Sequence, residues 1–306
     1  MTTHGSSVPL ADALPWTSPP TFQGRSFLVT DSIETDGRFL LHTYASQILN
    51  AKEGQVLWLA CGPWTASLVA SALKRIGCEE TFRDEASSSS SSDESTFSHH
   101  PLHIHSVTTE LSRICRQSVM DDTEGYAKSL YQRSSAWIKG SDSSKPCLVV
   151  IDDVSGLGSL LGERLAYILV ASLIRLTRKR AGRRVGLLMR CSADTEQESV
   201  ETNAPSVHPS RKAAWVGAGG VEKNHRERGP SWESQLAEFC DGIVDVLPLT
   251  SGYSREAHGR LVFTVPCLGK GWGTTRTTDT PLVMNYCLQE TTISAILIKS
   301  PISGPG

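Results

Sequence analysis

The sequence predicts an α/β fold, a mostly parallel central sheet covered by helices on both faces. Three observations carry that prediction. Apolar, strand-like runs at 26–30, 55–60, 147–151 and 185–190 alternate with segments whose apolar residues recur every three or four positions. This alternation is the pattern of parallel strands joined by helical crossovers. Near the C-terminus, strand-like runs at 260–265 and 293–299 follow with no helical pattern between them, which predicts antiparallel strands at one edge.

In chain order, residues 1–24 are rich in Pro, Ser and Thr and are expected to form a flexible leader before a single domain over 25–300. After the first strand and a polar turn from Asp31 to Gly37, Leu41, Tyr44, Ala45, Ile48 and Leu49 recur at helical spacing. The run Gln55 to Ala60 leads into Gly62-Pro63. Behind it Trp64, Leu68, Val69, Ala72, Leu73 and Ile76 trace a helix that stops at Gly77. The serine run within 84–98 predicts a disordered loop. Next come a short strand at 102–107, a helix at about 123–138, the buried strand Cys147–Ile151 and one long helix at about 159–177. Residues 193–229 change from acidic to basic and interrupt the alternation, as a long insertion would. A helix at 232–240 and a strand at 242–246 then resume it.

Composition excludes several function classes. The 306 residues carry 30 Lys+Arg and 32 Asp+Glu, a net charge of −2, so nucleic acid could be gripped only by a local basic patch. The longest uninterrupted apolar run, Leu165 to Ile174, is about half of the roughly 20 residues that cross a bilayer, so no membrane association is expected. No basic start precedes an apolar run at the N-terminus, so no secretory signal is expected. The eight cysteines form no CxxC pair, which argues against zinc ribbons and redox motifs and for buried thiols in a reducing compartment.

The chemistry of interest lies after the first strand. A phosphate-binding loop would place GxxxxGK[ST] there, with backbone N–H groups and a helix N-terminus cradling the anion. The chain instead reads Ser32-Ile33-Glu34-Thr35-Asp36-Gly37-Arg38-Phe39. Gly37 alone fits; Arg38 stands at the lysine position, Phe39 at the Mg²⁺-binding hydroxyl, and Glu34 and Asp36 add negative charge. Each acid close to a triphosphate would cost a few kcal/mol, about 4 kcal/mol at about 4 Å and an effective dielectric near 20. The strand Cys147–Ile151 followed by Asp152-Asp153 has the shape of a Mg²⁺-holding Walker B strand. With the loop broken it reads as a relic, or as acids that cap the next turn.

The run Thr35-Asp36-Gly37-Arg38-Phe39-Leu40-Leu41-His42, its helix, the strand QVLWLA and a helix ending LKRIGC resemble the Elongator complex protein 6 family. The likeness is most specific over 26–78 and is one of pattern over 147–190. It implies a RecA-like three-layer sandwich without a working phosphate loop. It also implies a non-catalytic subunit that forms a hetero-hexameric ring with Elongator proteins 4 and 5. Such a ring joins the remaining Elongator subunits, binds tRNA and supports wobble-uridine modification at C5, in the cytoplasm and also the nucleus. No cofactor is expected on this chain. In this reading Glu34, Asp36, Gly37, Arg38 and Phe39, with Asp152 and Asp153, form a protein interface where a related motor holds nucleotide. The alternative is a RecA-family ATPase of DNA repair with a degenerate loop; a third reading is a free-standing scaffold.

Two basic clusters are tRNA-contact candidates: Arg178, Lys179, Arg180, Arg183 and Arg184, and the later Arg211, Lys212, Arg226 and Arg228 with Trp215 nearby. The first would equally complement a helix dipole. His99, His100, His103 and His105 lack an acidic or Cys partner at ligand spacing and are expected to be ordinary surface or loop histidines. His42 is expected to pack within the first helix. Gly156-Leu157-Gly158 is expected to be a tight turn.

Overall fold

A computed structural model describes residues 7–14, 24–32, 34–50, 54–62, 66–78, 101–117, 123–141, 144–179, 185–192, 232–249, 257–264, 282–288 and 293–297. The strands are β1 (Ser7–Pro9), β2 (Ser26–Asp31), β3 (Gln55–Ala60), β4 (Leu102–Ser106), β5 (Cys147–Asp152), β6 (Val185–Ser192), β7 (Gly242–Leu247), β8 (Gly259–Thr264), β9 (Leu282–Leu288) and β10 (Ile293–Leu297). The helices are α1 (Leu10–Ala13), α2 (Arg38–Asn50), α3 (Ala66–Arg75), α4 (Val107–Gln117), α5 (Thr123–Gly140), α6 (Val154–Leu161), α7 (Glu163–Lys179) and α8 (Trp232–Phe239).

All described strands join one sheet in the order β1-β10-β9-β8-β7-β2-β6-β5-β3-β4. The six strands from β2 to β7 run parallel, and β8, β9, β10 and β1 add antiparallel strands at one edge. This is the mostly parallel sheet with antiparallel C-terminal edge strands that the sequence predicts.

The parallel strands read as continuous apolar runs because both of their faces are covered. Alternation along them splits the core in two. Phe27, Val29, Val56, Trp58, Leu148, Val150 and Leu188 share a layer with Leu40, Leu41 and Tyr44 of α2 and Val69 and Leu73 of α3. Leu28, Leu57, Leu59, Val149, Ile151, Leu187 and Met189 share the other with Leu111 of α4, Tyr126 and Trp137 of α5, and Leu157, Leu169 and Leu173 of α6 and α7. The result is a three-layer sandwich. Parallel strands also end together, so Asp31, Asp152 and Ser192 arrive at one rim of the sheet.

Several expectations need correction. Part of the expected leader is structured: β1 pairs with β10, and Leu10 and Leu14 are buried, because an antiparallel edge offers unpaired backbone to a short strand. The long helix expected at 159–177 is two helices, α6 and α7, separated by Gly162 at φ 82°. Gly156-Leu157-Gly158 lies inside α6 rather than in a turn. A Cβ on Gly156 would come within 2.9 Å of the Cys61 carbonyl, so glycine lets α6 approach the end of β3. Two further elements were not anticipated. In α4, Val107, Leu111 and Ile114 do have helical spacing, and in β9 the buried Met284 and Tyr286 alternate with half-buried neighbours. The loop 84–98 and the insertion 193–229 lie outside the described residues.

Candidate functional site

The turn after β2 folds down onto the sheet. A Cβ on Gly37 would meet Val29 Cγ1 at 2.8 Å and Asp31 Oδ2 at 3.3 Å, so only glycine lets the chain pass this close. The Gly37 N–H then donates to Asp31 Oδ2 at 2.7 Å. The next amide, Arg38 N–H, donates to Asp36 Oδ1 at 3.0 Å. Thr35 pins the turn from the other side, its hydroxyl donating to the Val246 carbonyl at 2.9 Å. Two amides that a phosphate loop would offer to an anion are thus held by the chain's own carboxylates.

Arg190, at the end of β6, closes the site from below. Its side chain is 4% exposed. Nε donates to Asp152 Oδ1 at 2.7 Å, Nη1 to Asp31 Oδ2 at 2.9 Å and to Ser192 Oγ at 3.0 Å. Nη2 lies 3.1 Å from Asp153 Oδ2. Arg38 Nε approaches Asp152 Oδ1 at 3.6 Å from the α2 side. Three carboxylates therefore converge on one guanidinium, with a second cation at the margin.

Acid exceeds base in this cluster, and Asp31, Asp152 and Arg190 are buried. Burial pushes the Asp31 and Asp152 carboxyls above their ordinary range against the opposing pull of Arg190. Asp152 Oδ2 is buried with no hydrogen-bond partner among the described residues. The carboxylates in turn hold Arg190 firmly in its charged form. Asp153 does the work of a turn cap, accepting from the Ser155 and Gly156 amides at 2.7 and 3.2 Å.

The outer wall is aromatic. Phe39, at the position where a Mg²⁺-binding hydroxyl would stand, packs on Tyr286 of β9 with ring centroids 4.7 Å apart. Burial raises the Tyr286 hydroxyl to about 12, with Asp36 and Asp31 adding to the shift. Glu34 and Asp36 face solvent above this wall. The donor set does not suit a magnesium–triphosphate: the Gly37 and Arg38 amides are taken, no lysine stands among the described residues of the turn, and Asp31, Asp152 and Asp153 face Arg190.

The structure thus gathers Asp36, Gly37, Arg38, Phe39, Asp152 and Asp153 at one rim, with Glu34 on the same turn. It places the described basic candidates elsewhere. Arg178, at the end of α7, donates to the Phe239 carbonyl and lies 3.3 Å from Asp241 Oδ2, and Asp241 accepts the amide that begins β2 at 2.8 Å. Arg178 therefore braces the amino-terminal rim of the sheet, away from the site; Lys179 beside it is exposed. Arg180, Arg183, Arg184, Arg211, Lys212, Arg226 and Arg228 lie outside the described residues.

Sequence reasoning missed Arg190. A signal was available: three otherwise apolar strands end in charge, at Asp31, Asp152 and Arg190. It also missed a second cluster beside β4. Glu110 of α4 takes both terminal nitrogens of Arg133 at 3.0 and 2.7 Å, and lies 2.8 Å from His105 Nε2. Tyr126 OH is 3.3 Å from the same ring nitrogen. His105 is thus paired rather than a bland surface histidine, and His103 is buried. His42 packs as expected, stacked on Trp58 at 5.2 Å.

No family model matches the chain, and no curated protein matches it. Among solved structures, it is similar to a KaiC-like protein of the archaeon Pyrococcus horikoshii. The likeness is 10% in identity and 0.47 in TM-score, over 89% of each chain.

Proposed function

We propose that this chain is a RecA-like, non-catalytic ring subunit whose nucleotide site has become a structural joint. The reading follows the resemblance to the Elongator complex protein 6 family. One observation carries the loss of nucleotide chemistry: the Gly37 and Arg38 amides are held by Asp31 and Asp36, where a phosphate would need them. A carboxylate built into the fold supplies the negative charge that nucleotide supplies in a motor. In RecA-type rings that site faces a neighbouring subunit, so the exposed Glu34 and Asp36 become interface acids. The partners in this reading are Elongator proteins 4 and 5, with tRNA bound by the assembled ring in support of wobble-uridine modification. Fold likeness alone would not supply such a function; the resemblance and the rebuilt loop support it together.

The test is reconstitution with the two paralogues. Co-expression is expected to give a hexamer by gel filtration coupled to light scattering, and Glu34→Lys with Asp36→Lys is expected to weaken it. Titration of the isolated chain with magnesium–ATP is expected to give no heat of binding. Micromolar ATP affinity would instead favour the degenerate-loop ATPase. Neutralising Arg211, Lys212, Arg226 and Arg228 is expected to lower the salt dependence of tRNA binding by the ring, by about one unit of slope per lost phosphate contact.

A further inference from the structure

We infer that residues 7–14 are a releasable strap, and that the outer edge of β10 is a strand-acceptor site. The strap of the same chain fills it in the monomer, and the same strap of a second copy can fill it in its place. β1 meets β10 through three register pairs, Ser7 with Ile296, Val8 with Ala295 and Pro9 with Ser294. Pro9 has no N–H to give to that ladder. The helix α1 that follows is a single turn. Leu10 and Leu14 reach the apolar layer that also holds α2, and Gln47 Nε2 of α2 donates to the Ala11 carbonyl at 2.9 Å.

A three-residue strand and a single helical turn hold these residues, and the entropy of fixing eight residues opposes them. Such an element opens well before the molecule unfolds. Once lifted, it leaves one row of β10 backbone groups without the partners seen here and two leucine-sized vacancies in the apolar layer. An open antiparallel edge pairs readily with another chain. Residues 7–14 of a second copy fit it by identity, because their fit is already displayed within one chain, and exchange of an identical element adds no new kind of contact. The strands β2, β5 and β6 have no comparable exit, since each is flanked by strands on both sides and covered on both faces.

Two measurements on the full-length chain test the inference. Native-state amide exchange is expected to be at least about 100-fold faster at residues 7–14 than in β2, β5 and β6. One common rate, limited by global unfolding, would overturn the strap. For exchange between copies, a preparation carrying only Val8→Cys is mixed with one carrying only Ala295→Cys, and disulfide-linked dimers are mapped by mass spectrometry. A link joining these two positions across copies is expected to increase with protein concentration. It should decrease when a peptide of residues 5–16 is added. Dimers linked only through the native cysteines, as in the unsubstituted protein, with no link between positions 8 and 295, would overturn the acceptor site.

Discussion

Arg190 and Arg133 are both nearly buried guanidiniums gripping carboxylates, yet their clusters are balanced in opposite senses. Arg190 faces Asp31, Asp152 and Asp153, so acid is in excess and burial pushes Asp31 and Asp152 upward. Glu110 faces both Arg133 and His105. Although burial opposes it, hydrogen bonds from His105 and Arg133 draw its carboxyl down to about 2. Burial raises all three carboxyls; the sign is set by whether the partners overcome it, as His105 and Arg133 do at Glu110 and Arg190 does not at Asp31 and Asp152. The first cluster fixes the loop and the strand ends in one arrangement with its desolvation cost only partly offset; in the second the partners more than offset it.

The comparison breaks most sharply at Arg190. Arg190→Met leaves the carboxylates without their guanidinium and is expected to lose about 3–5 kcal/mol in urea denaturation. Adding Asp31→Asn, Asp152→Asn and Asp153→Asn to that variant should recover much of the loss. A combined variant no more stable than Arg190→Met would show that the acids carry no desolvation cost. Glu110→Gln is expected to cost less, about 2–3 kcal/mol at neutral pH.

The pH profile sharpens the contrast. The Glu110 carboxyl is lowered from 4.5 to about 2 on folding, so its contribution is complete above pH 4.5 and is lost as pH falls toward 2. Glu110→Gln should remove that segment of the profile. His42 adds a slope of its own: burial lowers it from 6.5 to about 4, so the folded state loses stability as pH falls from 6.5 toward 4. A His42→Phe background keeps an aromatic ring at the Trp58 stack and should remove that slope, leaving the Glu110 segment to be read by itself. The smallest effect is expected for Asp152→Asn alone, within about 1 kcal/mol, because it relieves an acid excess while Asp31 and Asp153 still hold Arg190. A loss as large as that of Arg190→Met would refute the excess-acid account.

Much of the rim was legible one element at a time. The departure from GxxxxGK[ST] shows at Arg38 and Phe39, and the acid pair is conspicuous after the apolar run CLVVI. Arg190 was not legible as a partner, since it lies 159 residues from Asp31 and 38 from Asp152, and no local pattern relates them. Glu110 and Arg133 pair across 23 residues and two helices, and α4 was itself unforeseen. The basic run was visible, but that Arg178 braces Asp241 at the far rim was not.

Sequence by itself determined the α/β alternation, the parallel core with its antiparallel edge, and the presence of Arg38 and Phe39 where a phosphate loop has its lysine and Mg²⁺-binding hydroxyl. These follow from short-range periodicity and side-chain identity, which neighbouring residues carry. Tertiary structure alone decided where the surplus acids found their cation, which end of the sheet the basic helix terminus occupies, and that β1 pairs with β10. Those outcomes depend on strand order, and strand order arises from burying two apolar faces at once, a constraint no single stretch of chain contains.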